Sequence, residues 1–403
     1  MKNISIIMGR GIEGCGVTKF TLEQLAYHKS VGDSVKVFAS KDKSWTRKNA
    51  HNVEEIECFK FADKELASNM IRECNEKDFV IINSLPPLSA PDAAKETFQR
   101  LLDEVKVPIA LIQHDHAMAS IRRNACLDEA IKRANVIFAH SPSNGFANYA
   151  EELVGPKVSL FGTEEGTPIV SFQPGMAFEP VRNKYWVKDL NRIDTEHHKW
   201  IGRTTSWKGY IEMFKFVENY LKPNAQLTTY EGIERSPAYL GFRELAEFEE
   251  CLAEDIASYN FTESYGGNAH VFGPYIQEEM LHRMALSGFG YQLSRLKPEY
   301  IFRSIEYTHC EVVCTGTIPV FNKRYGERCT HRATGKKLIE HEESGTIWLD
   351  ENNLEDAWNQ MKEVGLCHMT RNKMRNDAYE FYRQHQDASH TFKELTNKIL
   401  KHI

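Results

Sequence analysis

Short apolar runs bounded by turn residues alternate along this chain with longer stretches of helical period. Runs that are apolar on both faces suit buried strands, and their alternation with helices predicts parallel sheets built from βαβ units. In the first half the strand candidates are Asn3–Met8, Ser34–Ala39, Asp78–Ser84, Val107–His114, Asn135–His140 and Ile169–Gln173. The helices between them are expected to begin near Thr18, Asp63, Asp92, Leu127 and Ser143. From Gln173-Pro174-Gly175 to Glu179-Pro180 the chain is rich in Pro and Gly, which predicts an interdomain linker. A second set of strands follows at Lys199–Gly202, Leu227–Glu231, Ala269–Phe272, Gly288–Leu293, Thr317–Phe321 and Gly345–Leu349. Six strands on each side predict two Rossmann-like domains, 1–178 and 179–379, with a ligand in the crevice outside the carboxyl ends of the strands. The last helical stretch, Asn372–Lys401, carries Tyr379, Phe381, Tyr382, Phe392 and Leu395, and its part from 380 to 403 is expected to complete the first domain.

Length agrees, because 403 residues exceed what one core usually supports. A formal charge of -6 argues against a protein that coats nucleic acid along its whole surface, while leaving room for a local basic patch. The nine cysteines form no Cys-x-x-Cys pair, so free thiols are expected and a zinc ribbon is not. The apolar run at Met1–Met8 is too short for a signal peptide and no later run approaches a membrane span, so no membrane partner is expected.

The chemistry gathers at strand ends. Gly9-Arg10-Gly11-Ile12-Glu13-Gly14-Cys15-Gly16 follows the first strand and opens the first helix; Gly14 and Gly16 let a ligand approach the backbone at a helix N-terminus. It is no Walker motif, since Val17 and Thr18 separate Gly16 from Lys19, and a ligand-free turn is the competing reading. Gln113-His114-Asp115-His116 ends the fourth strand candidate. There a carboxylate at Asp115 suits a developing oxocarbenium ion and His114 suits sugar hydroxyls; a metal pair, His114 with His116, and a polar strand end are the alternatives. Arg203 and Lys208 straddle a strand-to-helix turn and can converge on a diphosphate. Glu306 and Glu311 precede Gly316-Thr317-Ile318-Pro319-Val320. An acidic residue running into that turn resembles the donor signature of retaining sugar-nucleotide transferases, in which a helical glutamate grips the ribose. Many such enzymes carry two glutamates separated by seven residues, whereas here the residue eight before Glu311 is Arg303. Gly290 and Tyr291 lie in a Gly-Phe-Gly run that offers either backbone amides to the donor or merely a buried strand. Lys43, Trp45 and Arg47 interleave charge with an aromatic ring, and Arg122-Arg123 follow the His114 segment; both suit DNA phosphates, with solvated surface as the alternative.

Several strings, Arg10–Phe20, Gln113–His116 with Arg122-Arg123, Trp200–Gly209, Glu234–Ala238, Ser287–Ser294, Glu306–His309 with Glu311, and Gln384–Asp387, resemble the DNA α-glucosyltransferase family of T-even bacteriophages from end to end. The resemblance implies an α/β fold of GT-B type, two facing Rossmann-like domains with a deep cleft. It assigns 1–178 to the DNA acceptor and 179–379 to the nucleotide-sugar donor. The implied reaction moves a sugar, glucose favoured and arabinose the alternative, from a UDP-sugar to 5-hydroxymethylcytosine in double-stranded DNA. Configuration is retained, and the base is flipped out. The purpose implied is shielding of phage DNA from host restriction, in the cytoplasm of the infected bacterium. It implies His114 and Asp115 in catalysis; Gly14, Gly16, Arg203, Lys208, Gly290, Tyr291, Glu306 and Glu311 at the donor; and Lys43, Trp45, Arg47, Arg122 and Arg123 at DNA. No cofactor or metal is expected, and the phage replication clamp is a further implied partner. A glycan or lipid transferase would share the donor residues without the basic loop; a silent nucleic-acid binder would lack Asp115 or Arg203.

Overall fold

The computed structural model describes residues 1–12, 16–41, 53–114, 121–139, 145–154, 169–171, 175–202, 216, 220, 226–231, 269–274, 277–293 and 306–402. The chain forms two compact units, Met1–Met176 with Ala388–Ile403, and Ala177–Asp387.

In the first unit, β1 (Asn3–Met8), β2 (Ser34–Ser40), β3 (Ile56–Phe59), β4 (Phe79–Ser84), β5 (Ile109–Gln113), β6 (Val136–Ala139) and β7 (Ile169–Ser171) make one parallel sheet in the order β3-β2-β1-β4-β5-β6-β7. Helices α1 (Gly16–Ser30), α2 (Lys64–Asn75), α3 (Asp92–Glu104), α4 (Leu127–Arg133) and α5 (Gly145–Val154) join the strands. The order reverses between β1 and β4, with Met8 beside Ser84, so the turns after these two strands open at the switch point where doubly wound sheets bind ligands. The sheet has seven strands instead of six, because Ile56-Glu57-Cys58-Phe59 pairs in parallel with β2. Only Ile56 and Phe59 of its four residues are buried, around half-buried Glu57 and Cys58, which leaves little apolar signal. Ile82, Leu111, Phe98 and Leu101 are in the core of one face.

Helix α1 buries a polar stripe: Thr18, Thr21, Gln24 and His28. These groups are held in hydrogen bonds: Asn83 Nδ2 donates to Thr21 Oγ1 and Gln24 Oε1, both at 2.9 Å, and His28 Nδ1 meets Asp33 Oδ2 at 3.0 Å. Buried polar groups cost least when paired, and here the pairing is partial, since Gln24 Nε2, His28 Nε2 and Asn83 Oδ1 have no partner among the described residues.

In the second unit, after α6 (Phe178–Tyr185), strands β8 (Asp194–Gly202), β9 (Gln226–Glu231), β10 (Ala269–Pro274), β11 (Ser287–Gln292), β12 (Ile318–Asn322) and β13 (Ile347–Leu349) run parallel in the order β10-β9-β8-β11-β12-β13. The helices are α7 (Gln277–Ala285), α8 (Tyr307–Cys314), α9 (Lys323–Arg328), α10 (Leu354–Leu366) and α11 (His368–Gln386). Helix α6 occupies ground read from sequence as linker. Pro180 falls in its first turn, where the absent N–H is not needed.

The terminal helical stretch is two helices and not one. Helix α11 stops at Gln386 and α12 (Ala388–His402) starts in the other unit. Asp387 Oδ2 accepts from the Phe178 N–H at 3.4 Å, and the Ala388 N–H donates to the Met176 carbonyl at 2.8 Å. Helix α12 packs on α1, with the Phe392 ring 5.0 Å from Phe20 and 5.9 Å from Tyr27. Among the described residues no helix is long and apolar enough to cross a membrane.

Candidate active site

At the carboxyl edge of the first sheet, the glycine-rich turn is shaped by its backbone. Gly11 has φ +83°, and a Cβ on Gly9 would lie 2.6 Å from the Pro86 nitrogen, so side chains are excluded at both. Gly16 is the first residue of α1, and among the described residues a Cβ there would meet nothing within 4 Å, so no described neighbour demands a glycine. Gly14 lies outside the described residues. Arg10, which the sequence did not single out as a site residue, is anchored here: its N–H donates to Ser84 Oγ at 3.2 Å and its Nη2 to Asn124 Oδ1 at 2.8 Å. An arginine between two glycines of a switch-point turn was the available signal.

His114 directly follows β5 and is half-buried, its ring edge-on to Phe20 at 4.7 Å. Asp115 and His116 lie outside the described residues, as do Lys43, Trp45 and Arg47. Arg122 and Arg123 are exposed. The Arg122 guanidinium lies 5.7 Å from the Tyr149 ring centre, and Tyr149 donates to Asp128 at 2.6 Å. The carbonyl of Arg123 accepts from the Leu88 N–H at 2.7 Å, which fixes the main chain while leaving the side chain outward.

In the second unit β8 ends at Gly202, one residue before Arg203; Arg203 and Lys208 lie outside the described residues. Within that strand His198, Lys199 and Trp200 are buried. Burial pushes the Lys199 ammonium down to about 7, with the Arg283 charge adding to the shift. Burial also brings His198 down to about 3, with His197 contributing. His198 Nδ1 meets the Tyr291 hydroxyl at 2.6 Å, and that hydroxyl also contacts Met361 Sδ at 3.2 Å. The Tyr291 ring therefore belongs to the core with Trp200, Phe289 and Val320. Gly290 is required by packing, since a Cβ would lie 2.7 Å from Val312 Cγ1 on α8. Packing accounts for the glycine at 290 and for the inward side chain of Tyr291.

Glu306 precedes α8 as its N-cap, and Glu311 lies within the helix. Glu306 caps its N-terminus: the Glu306 N–H donates to His309 Nδ1 at 3.1 Å. Its carboxylate accepts from Gln292 Nε2 at 3.2 Å and from the Tyr325 hydroxyl at 3.3 Å. Gln292 ends β11 at the second switch point, so the carboxylate is tied to the edge where Arg203 follows β8. Glu311, one turn further, is 3% exposed. The Gln292 and Tyr325 clamp is not read from the sequence, because its members come from three different elements. Among the described residues no group of three or more His, Cys, Asp or Glu side chains is arranged to hold a metal ion.

Residues 15–368 match the protein family described as DNA alpha-glucosyltransferase. The chain belongs to that family. It is 42% identical to the DNA alpha-glucosyltransferase of Enterobacteria phage T4 over 403 residues, covering 99% of this chain and 100% of the relative. Among solved structures it superposes on an alpha-glucosyltransferase in complex with UDP with a TM-score of 0.86, at 39% identity and covering 99% and 100% of the two chains. An alpha-glucosyltransferase with UDP-glucose and DNA containing an abasic site matches with a TM-score of 0.85, at 38% identity and 99% coverage of each chain. The two doubly wound units are thus of the GT-B type, and membership of the DNA alpha-glucosyltransferase family makes the chain a glycosyltransferase that acts on DNA.

Proposed function

We propose that this chain transfers glucose from UDP-glucose to the hydroxymethyl group of 5-hydroxymethylcytosine in double-stranded DNA, with retention of configuration at the anomeric carbon. The reading is carried by end-to-end similarity to an alpha-glucosyltransferase whose structure holds both UDP-glucose and DNA. Arabinose has no such support, because the relatives matched here are glucose enzymes by name.

In this reading the second unit is the donor side. Arg203 and Lys208 neutralise the diphosphate through charge-assisted bonds, and Glu311 with the clamped Glu306 takes ribose and sugar hydroxyls. The turn holding Gly14 and Gly16 offers backbone N–H groups and the positive end of α1. Asp115 lies under the anomeric carbon and stabilises the developing cation, while His114, backed by Phe20, orients the sugar. Leaving-group charge is met by Arg203 and Lys208, so no metal is needed. The first unit is the acceptor side. There Lys43, Trp45, Arg47, Arg122 and Arg123 hold DNA phosphates and the distorted duplex around a flipped base. The modified bases would resist host nucleases in the cytoplasm of an infected bacterium.

The deciding experiment incubates the protein with hydroxymethylcytosine DNA and UDP-glucose or UDP-arabinose, with EDTA present, and digests the product to nucleosides. Mass spectrometry is expected to find the hexosyl nucleoside, and the anomeric proton coupling to report an α linkage. A pentosyl product would overturn the donor, a β linkage the retention, and no product with unmodified-sugar DNA controls intact would overturn the acceptor.

A further inference from the structure

Helix α8 has only eight residues, so whatever holds its carboxyl end fixes the whole of it. That end closes in a Schellman turn: the Gly316 N–H donates to the Val313 carbonyl at 3.0 Å and the Thr317 N–H to Val312 at 3.3 Å, with Gly316 at φ +76°. The Gly316 carbonyl accepts from Nε of Arg375, a residue of α11. Arg375 Nη2 donates to the Val187 carbonyl at 2.9 Å, and its guanidinium lies 4.6 Å from the Trp186 ring centre. The fit leaves no slack: a Cβ on Gly316 would be 2.6 Å from Arg375 Nη2 and 2.8 Å from Trp186 Cε3.

Arg375 is 2% exposed, and the charges that act on it are the like charges of Arg371 and Arg182. Burial, then those two neighbours, lower it to about 10, which leaves it charged at neutral pH. Burying such a group is costly compared with an apolar side chain of similar volume. Two carbonyls, the indole face and the negative end of the α8 dipole offset that cost. Stability alone gives no reason to prefer arginine here. The reason lies on the helix it caps. The Glu311 carbonyl accepts from both the Thr315 N–H at 3.2 Å and Thr315 Oγ1 at 3.1 Å, so the residue next to the locked glycine is bonded directly to the donor glutamate's main chain.

We propose that Arg375 is a positioning residue for nucleotide-sugar binding, which acts by fixing the Gly316 turn and through it the placement of Glu311. The inference rests on the donor role of Glu311 proposed above. Arg375→Met, which keeps the stem and removes the donors, should raise KM for UDP-glucose about tenfold while kcat and KM for DNA stay within about threefold. Gly316→Ala should give the same split, since its methyl group displaces the guanidinium and the indole; it also supplies the test if Arg375→Met does not fold. Arg375→Lys, which keeps charge without the forked donors, should fall between wild type and Arg375→Met. An unchanged KM for UDP-glucose in both Arg375→Met and Gly316→Ala, or equal losses in kcat and in both KM values, would overturn the proposal. Glu311→Gln separates the two ideas. If it raises KM for UDP-glucose and the Arg375 and Gly316 variants do not, only the positioning role falls; if it has no effect, the donor role of Glu311 falls and the positioning role with it.

Discussion

At the scale of single residues, the same letter means different things at the two switch points. Gly9 and Gly11 are dictated by a close approach and a positive φ, Gly290 by the methyl groups of Val312, and Gly16 by neither. A glycine whose absent side chain leaves open space beside a helix N-terminus is the one best suited to a ligand. The sequence marks all four alike, because it shows where side chains are missing and not what would collide. Tyr291 illustrates the same limit: beside glycines at a strand end it reads as a donor contact, yet its hydroxyl is turned inward to His198 and Met361. In the proposed reaction Asp115 is the residue on which the chemistry turns. Asp115→Asn keeps the shape of the side chain and removes the charge that the proposal sets against the developing cation. UDP binding measured by calorimetry should therefore persist while turnover falls by roughly 10² or more. Near-normal turnover of this variant would move the stabilising carboxylate elsewhere, and loss of wild-type activity in EDTA would point to a metal-assisted reaction instead.

At the scale of elements, strands such as β1, β4 and β5 are legible because they are buried on both faces and stand out as apolar runs; β1 falls where its residues predict it, Asn3–Met8. Helix α1 is harder to read. Its buried face holds Thr18, Thr21, Gln24 and His28 beside only Phe20 and Leu25, and the polar groups meet Asn83 and Asp33 outside the helix, so the apolar stripe is narrow. The break between α11 and α12 is invisible for a related reason. Neither Gly nor Pro interrupts Gln386-Asp387-Ala388, and the chain turns there because Phe178 and Met176 supply partners remote in sequence. Helix α12 is consequently a required part of the first unit although it comes last. Phe392 is fully buried against Phe20, the ring that also backs His114. Phe392→Ala should destabilise the first unit by about 3 to 5 kcal/mol, the usual cost of emptying a packed aromatic site. In urea the expected result is an earlier unfolding of segments 1–176, read by hydrogen exchange, with segments 177–387 unaffected. Simultaneous loss of protection in both, or none in either, would refute the assignment of α12 to that core.

At the scale of the whole molecule, the buried imidazoles are shared unequally between the units. In the first, His28 is lowered by burial, but the carboxylate of Asp33 beside it works in the opposite direction, with Lys2 adding to the lowering. In the second, His198 is brought to about 3 and His385 well below its ordinary value, in each case by burial first and by a neighbouring histidine second. His331 is lowered as well, stacked at 5.1 Å on His385, with its Nε2 at 3.1 Å from the Phe381 carbonyl. The charges facing this pair are mixed: His341 and Arg332 oppose protonation, and Glu343 favours it. Because the folded pKa lies below the unfolded one, these groups add nothing to the pH dependence well above about 6.5, where both states are neutral. As the pH falls through that value the unfolded chain takes up protons that the folded chain refuses, so stability declines with acidity. Carboxylates lowered by partners, such as Asp350 beside Lys323, lose their contribution at still lower pH and cannot offset this. On the alkaline side the second unit has opposing terms, since deprotonation of Lys199 favours folding while deprotonation of Cys329, pushed by burial to about 12, opposes it. The clean signature is therefore acid. Between about pH 7 and about pH 5 the urea midpoint of the second unit should fall more steeply than that of the first. His385→Gln should flatten that slope, because a neutral side chain in its place has no proton to gain on unfolding. A midpoint that does not move over this range, or moves more in the first unit, would mean that the second unit's histidines take up protons as readily folded as unfolded.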